Sequence, residues 1–156
     1  MIKKTFFGIL AMLALVCAGS WYFIHQNQAQ AVKAEARKTY IQSSRPTIFF
    51  HGWGSSSRAE RHMANAAKNA GVTQTIIEAK VAEDGTVTLK GTIPKDAVNP
   101  IVLVNFDNNR GASTQDQGNY AYAVVKALQD TYGIKEMNMV AHSYGNMAIV
   151  YYMFQP

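Results

Sequence analysis

Apolar residues are distributed along this chain in three textures. The first is a single long run: Phe6 to Ile24 (FFGILAMLALVCAGSWYFI) contains 19 residues and no charge. The second is a set of short clusters of β-branched and aromatic residues. Thr47-Ile48-Phe49-Phe50, Ile101-Val102-Leu103-Val104 (running into Asn105-Phe106) and Met137-Asn138-Met139-Val140 read as strands, the first two apolar enough to be covered on both faces. The third is helical spacing. Met63, Ala66, Ala67 and Ala70 recur on one face between Ser57 and Gly71. Tyr120, Val124 and Leu128 form a row, with Ala121 and Val125 beside it, that ends near Gly133. Met147 to Phe154 reads as an apolar helix. Ser57-x-x-Glu60 matches a capping box, and Asp107 to Gln117 reads as a polar loop. Strand and helix thus alternate, which predicts an α/β sheet, mainly parallel, with helices on both faces. Thr73 to Val81 and Thr86 to Lys90, joined around Asp84-Gly85, break the rhythm and read as an inserted hairpin.

The long run has the length of a bilayer span and follows Lys3 and Lys4, with Trp21 and Tyr22 near its far end. Residues 1–31 are therefore expected to be a signal peptide or signal anchor. The N-terminus lies inside, residues 6–24 contact the membrane, and the body is extracytoplasmic, secreted or membrane-anchored. Ala29-Gln30-Ala31 offers a cleavage site. Residues 32–45, rich in Gln, Ala, Lys and Ser, read as a linker or frayed helix, and residues 46–156 as one domain.

Composition narrows the functional classes. The formal net charge is +5, and with Lys3 and Lys4 in the leader the remainder carries about +3. No basic run interleaves with aromatics, so nucleic acid is not an expected partner, whereas anionic cell-surface polymers suit a mildly basic exported protein. The single cysteine, Cys17, lies in the leader, so the body has no disulfide or thiolate metal site. No phosphate-cradling glycine loop or His/Asp/Glu metal cluster stands out, and no cofactor or metal is expected.

Two motifs carry chemistry. Ala141-His142-Ser143-Tyr144-Gly145 falls between a strand and an apolar helix, the context in which a sharp turn lifts a serine hydroxyl above a sheet. Small residues two positions to either side suit the crowding of that turn; Ala141 stands where the usual G-x-S-x-G pattern has glycine. His51-Gly52-Trp53-Gly54 follows an earlier strand. Acyl transfer needs backbone N–H groups aimed at a developing oxyanion, which nominates the amides of Trp53 and Tyr144 beside the candidate nucleophile Ser143.

In order and spacing, PTIFFHGWG, VNFDNNRG and MNMVAHSYGN resemble a family of exported α/β-hydrolases from Gram-positive bacteria. That family was long catalogued as a domain of unknown function, with lipase-like or esterase-like members assumed. The resemblance covers about Pro46 to Tyr152. It implies a partial α/β-hydrolase sheet in which the strand ending at Phe50 lies between those ending at Phe106 and Val140, and a serine hydrolase acting on an ester or acyl substrate, small molecule or lipid. It identifies no particular substrate. In this fold the acid and then the histidine follow the serine, yet none of the 13 residues after Ser143 is Asp, Glu or His. His142 is expected to point away from the serine, and His51 to brace its loop rather than pair with Ser143. The chain as given is thus expected to be truncated before its acid and base, and inactive alone. The alternative is a non-catalytic surface protein or gene remnant with a hydrolase-like fold.

Overall fold

The computed structural model describes residues 2–155, with side chains from residue 12 onward. Helix α1 (Ile2–Thr39) is followed by strand β1 (Thr47–Phe50), helix α2 (Arg58–Asn69), strands β2 (Ile76–Val81), β3 (Val87–Lys90) and β4 (Ile101–Phe106), helix α3 (Thr114–Tyr132), strand β5 (Asn138–Ala141) and helix α4 (Gly145–Met153). The five strands form one sheet in the order β3-β2-β4-β1-β5. β1 runs parallel to β4 and β5, with Thr47 opposite both Ile101 and Asn138, so the implied central position of β1 is observed.

Alternation along β4 divides the core. Val102, Val104 and Phe106 meet Ile48, Phe50 and the α3 row of Tyr120, Val124 and Leu128. Ile101 and Leu103 face the other way, onto Ala64 and Ala67 of α2 with Phe49 and Ile76. Both faces of β4 are therefore dry, as its continuous apolar run requires. The sheet is mostly parallel with helices on its two faces.

Three local expectations need correction. The Thr73–Lys90 segment is not a side insertion. β2 pairs in parallel with β4 along its whole length, and only β3 turns back against it. Its half-buried alternation concealed how much of the sheet it builds. The Ser57–Glu60 capping box does not form: the Ser57 hydroxyl donates to Glu78 (2.7 Å) and Glu60 turns to His142. A working box lies instead inside the expected loop, where Ser113 and Asp116 cap one another's backbone and start α3 at Thr114.

Helix α1 continues through residues 32–39, where a bare linker or frayed helix was expected. It docks through Ala36, whose methyl lies 3.1 Å from the position of a Cβ on Gly71. Among the described residues no helix is long and apolar enough to cross a membrane, so the expected span at residues 6–24 is not found there. Residues 6–11 of that run lie outside the described side chains.

Helices α3 and α4 cross at Gly118, where a Cβ would meet the Tyr151 Cβ at 2.5 Å and its carbonyl carbon at 2.9 Å. Gly118→Ala must therefore push the helices apart and is expected to cost about 1–3 kcal/mol. Gly133→Ala, at the left-handed C-cap of α3 with open space around it, should cost only the backbone strain, about 1–2 kcal/mol. Urea unfolding followed by circular dichroism measures both; an unchanged midpoint for Gly118→Ala would rule out the close crossing.

Candidate active site

The C-terminal ends of β1, β4 and β5 bring three loops together. Between β5 and α4 the chain reverses through Ser143, whose φ of 51° is left-handed, a conformation that costs an L-residue roughly 1–2 kcal/mol. Gly145 makes the turn possible. A Cβ there would lie 2.5 Å from the Phe50 carbonyl oxygen and 2.7 Å from that of His51. The Gly145 N–H donates to the His142 carbonyl, and the Asn146 N–H and side-chain amide both donate to the Ser143 carbonyl. Ser143 is exposed at the crest, immediately before the N-terminus of α4, where the helix dipole favours negative charge.

The His51–Gly54 loop lies against this turn. A Cβ on Gly52 would be 3.2 Å from the Ser143 Cβ and 3.0 Å from His142 Nε2, so a glycine lets the two backbones close. Among the described residues the backbone N–H groups of Trp53 and Tyr144, the two nominated donors, make no hydrogen bond. The third loop, after β4, clasps the second. Gly54 N–H donates to the Asn109 carbonyl, the Asn109 side-chain amide to the Ser55 carbonyl, and the Trp53 indole N–H to the Arg110 carbonyl. The Arg110 guanidinium stands 5.3 Å over the exposed Trp53 ring. The sequence marks the Asp107–Arg110 segment only as a polar loop with turn-forming Asx residues. Its role as a clasp comes from where β4 ends beside β1, which local composition does not encode.

Neither nearby histidine hydrogen-bonds the Ser143 hydroxyl. His51 is buried and spanned at both nitrogens. Nε2 accepts from the Phe106 N–H (3.1 Å), which leaves Nδ1–H to donate to the Gly52 carbonyl (2.8 Å). Burial, the largest influence, pushes His51 below its ordinary value. The Gly52 hydrogen bond and the Glu60 charge oppose that shift. It is therefore a neutral brace. His142 turns its Nδ1 to Glu60 Oε1 at 2.6 Å. Glu60 itself is 2% exposed, and its other oxygen has no partner. Sequence reasoning missed this pair because Glu60 was assigned to a cap. No side chain among the described residues hydrogen-bonds the Ser143 hydroxyl. Three cavities open elsewhere, at the opposite end of the sheet, and none includes Ser143, Gly52 or Trp53.

A mostly parallel sheet, helices on both faces and a strained serine between the fifth strand and a helix define the α/β-hydrolase class. Residues 34–155 match the family described as alpha/beta hydrolase of unknown function (DUF915), and the chain belongs to it. It is similar to the solved lin2722 gene product of Listeria innocua, with 28% identity and a TM-score of 0.66 over 70% of this chain and 44% of that one. It shares its fold with a candidate cell-surface hydrolase from Lactobacillus plantarum WCFS1, at 23% identity and a TM-score of 0.59 over 69% of this chain and 44% of that one. The chain thus spans under half the length of these solved structures. No curated protein sequence matches it.

The state of His51 gives a pH signature. Its folded value lies below the unfolded 6.5, so as pH falls through 6.5 the unfolded chain takes up the proton first and stability is lost. Glu78 acts in a separate window. Burial alone would raise it, but hydrogen bonds from Ser57 and Lys90 and the charges of Lys90 and Arg61 hold it below 4.5, so its contribution disappears only as pH falls below that value. Melting temperature should therefore already fall between pH 7 and pH 5, and His51→Gln, less stable throughout, should flatten that slope. An unchanged slope in the variant would mean that His51 is not the group responsible.

Proposed function

We propose that this chain carries the nucleophile and oxyanion hole of an extracytoplasmic serine hydrolase acting on an ester or acyl substrate. The observation that supports this most is the left-handed φ of Ser143 at a strand-to-helix turn packed directly on Gly52. In this reading the Ser143 hydroxyl oxygen attacks the substrate carbonyl carbon. The unpaired N–H groups of Trp53 and Tyr144 accept the charge that develops on the carbonyl oxygen. The tetrahedral adduct then expels the alcohol, leaving an acyl-serine for water to cleave. The hydroxyl proton needs a base. No described side chain hydrogen-bonds the Ser143 hydroxyl, so this reading assigns the base and its orienting acid to further strands that join the open edge of β5. The basic, then apolar leader (residues 1–31) exports the body and contacts the membrane through residues 6–24. A relative described as a candidate cell-surface hydrolase is consistent with that location.

A second reading, a non-catalytic surface protein, is favoured by one observation: no described side chain hydrogen-bonds the Ser143 hydroxyl. A fluorophosphonate probe separates the two when applied to the gene product at its full natural length. The hydrolase reading expects one adduct, located on Ser143 by mass spectrometry. It also expects a fall in esterase turnover of about a thousandfold or more in Ser143→Ala. Absence of any adduct on a folded protein would leave the non-catalytic reading standing.

A further inference from the structure

The end of the sheet opposite Ser143 has a character of its own. A cavity of about 600 Å³ opens beneath the N-terminal ends of the parallel strands, with Arg45, Lys95 and Lys135 in its wall. Through Pro94 and Ala97 it joins a second cavity of about 300 Å³, bordered by Lys33 and Arg37 of α1. Through Arg45, Lys135 and Glu136 it joins a third of about 480 Å³. These cavities share lining residues and lie side by side under β2, β4, β1 and β5, about 15 Å at the spacing of neighbouring strands, and together they are called the groove below.

Five cations border this groove against two carboxylates, Asp96 and Glu136. Only Arg45 is paired, with Glu136. Elsewhere this chain places many of its cations beside a carboxylate, as in Arg61 and Lys90 on Glu78 and Lys80 on Asp107. In residues 12–155, Lys33, Arg37, Arg58, Lys68, Lys95, Arg110 and Lys135 make no ion pair, and four of these seven line the groove. Unpaired positive charge has therefore collected at this end of the sheet, where it raises the local concentration of anions.

We propose that this groove binds a linear polyanion and so tethers the protein by its back, with the Ser143 end free. The layout of charge favours a chain: the cations are spread along the N-terminal ends of neighbouring strands rather than gathered at one point. Position favours it too, and here the argument rests on the proposed membrane role of residues 6–24. Lys33 lies nine residues beyond Ile24, about 14 Å along a helix. The headgroup layer extends only about 5–8 Å past the hydrocarbon, so the groove clears it. β4 holds groove and serine apart by about 20 Å, the length of six extended residues.

The test measures fluorescence anisotropy of labelled short-chain linear polyphosphate with the full chain. Binding should weaken as salt rises. It should fall by about tenfold or more in Lys95→Gln/Lys135→Gln, with a shallower salt dependence and an unchanged melting temperature. The charge-matched Arg58→Gln/Lys126→Gln should change it by less than about twofold. Inorganic phosphate should compete only at concentrations about a hundredfold higher, and phosphatidylglycerol vesicles should retain wild type and the groove variant alike. Equal binding by wild type and groove variant would overturn the proposal, as would an equal loss in the control pair. Competition by single phosphate on even terms would make this a small-anion site. Groove-dependent retention on vesicles without polyphosphate binding would make it a membrane face.

Discussion

Everything at the Ser143 end of this molecule depends on how closely β5 and its turn approach the end of β1. The carbonyls of Phe50 and His51 occupy the space into which any side chain at position 145 would grow. Ser143 and His142 in turn occupy the space beside Gly52. Two glycines on two different loops thus permit a single contact, and that contact raises Ser143 on a strained backbone. The strain, roughly 1–2 kcal/mol for a non-glycine residue in this region, is sustained because packing on both sides leaves the turn no alternative. Pre-organisation of this kind suits a group that must be aimed rather than flexible.

The surrounding polar network fixes the same arrangement from outside. His51 links the Gly52 carbonyl to the Phe106 amide, tying the first loop to β4 in its neutral state. Asn109 and the Arg110 carbonyl hold Gly54, Ser55 and Trp53 from the third loop. Glu60 reaches from α2 to His142, the residue before the serine. These hydrogen bonds tie the His51–Gly54 loop to β4 and to the loop after it, and α2 to the turn before Ser143, so the three loops are held as a unit. The opposite end of the sheet is arranged differently, with cations left unpaired along an open groove.

Much of this was legible in the sequence, because each strand and helix announced itself by its own period. β1 and β4 showed as continuous apolar runs since both their faces are covered. Gly133 marked the end of α3 because the left-handed cap that closes that helix favours glycine. Ala-His-Ser-Tyr-Gly and His-Gly-Trp-Gly were readable because strand-to-helix turns demand small residues at fixed offsets. What escaped were choices made by tertiary contact. Ser57 and Glu60 spell a cap, yet stronger partners at Glu78 and His142 take both side chains. Ser113 and Asp116 spell the box that does form, inside a stretch whose polarity suggested a loop. β2 looked like half of a hairpin because its alternation reports one covered face, not which strand lies beside it. Clustering of Lys33, Lys95 and Lys135 could not be read at all, since they converge only when four strands align their ends.

The central claim is that Ser143 is held in a left-handed conformation by packing rather than by its own preference. Comparing the unfolding free energies of Ser143→Gly and Ser143→Ala tests this directly, since neither retains the hydroxyl. If the turn is imposed, glycine relieves the strain and should be more stable than alanine by about 1 kcal/mol. If Ser143 instead relaxes to an ordinary right-handed backbone in solution, glycine should be the less stable of the two by roughly 0.5–1 kcal/mol, and the strained elbow would not exist.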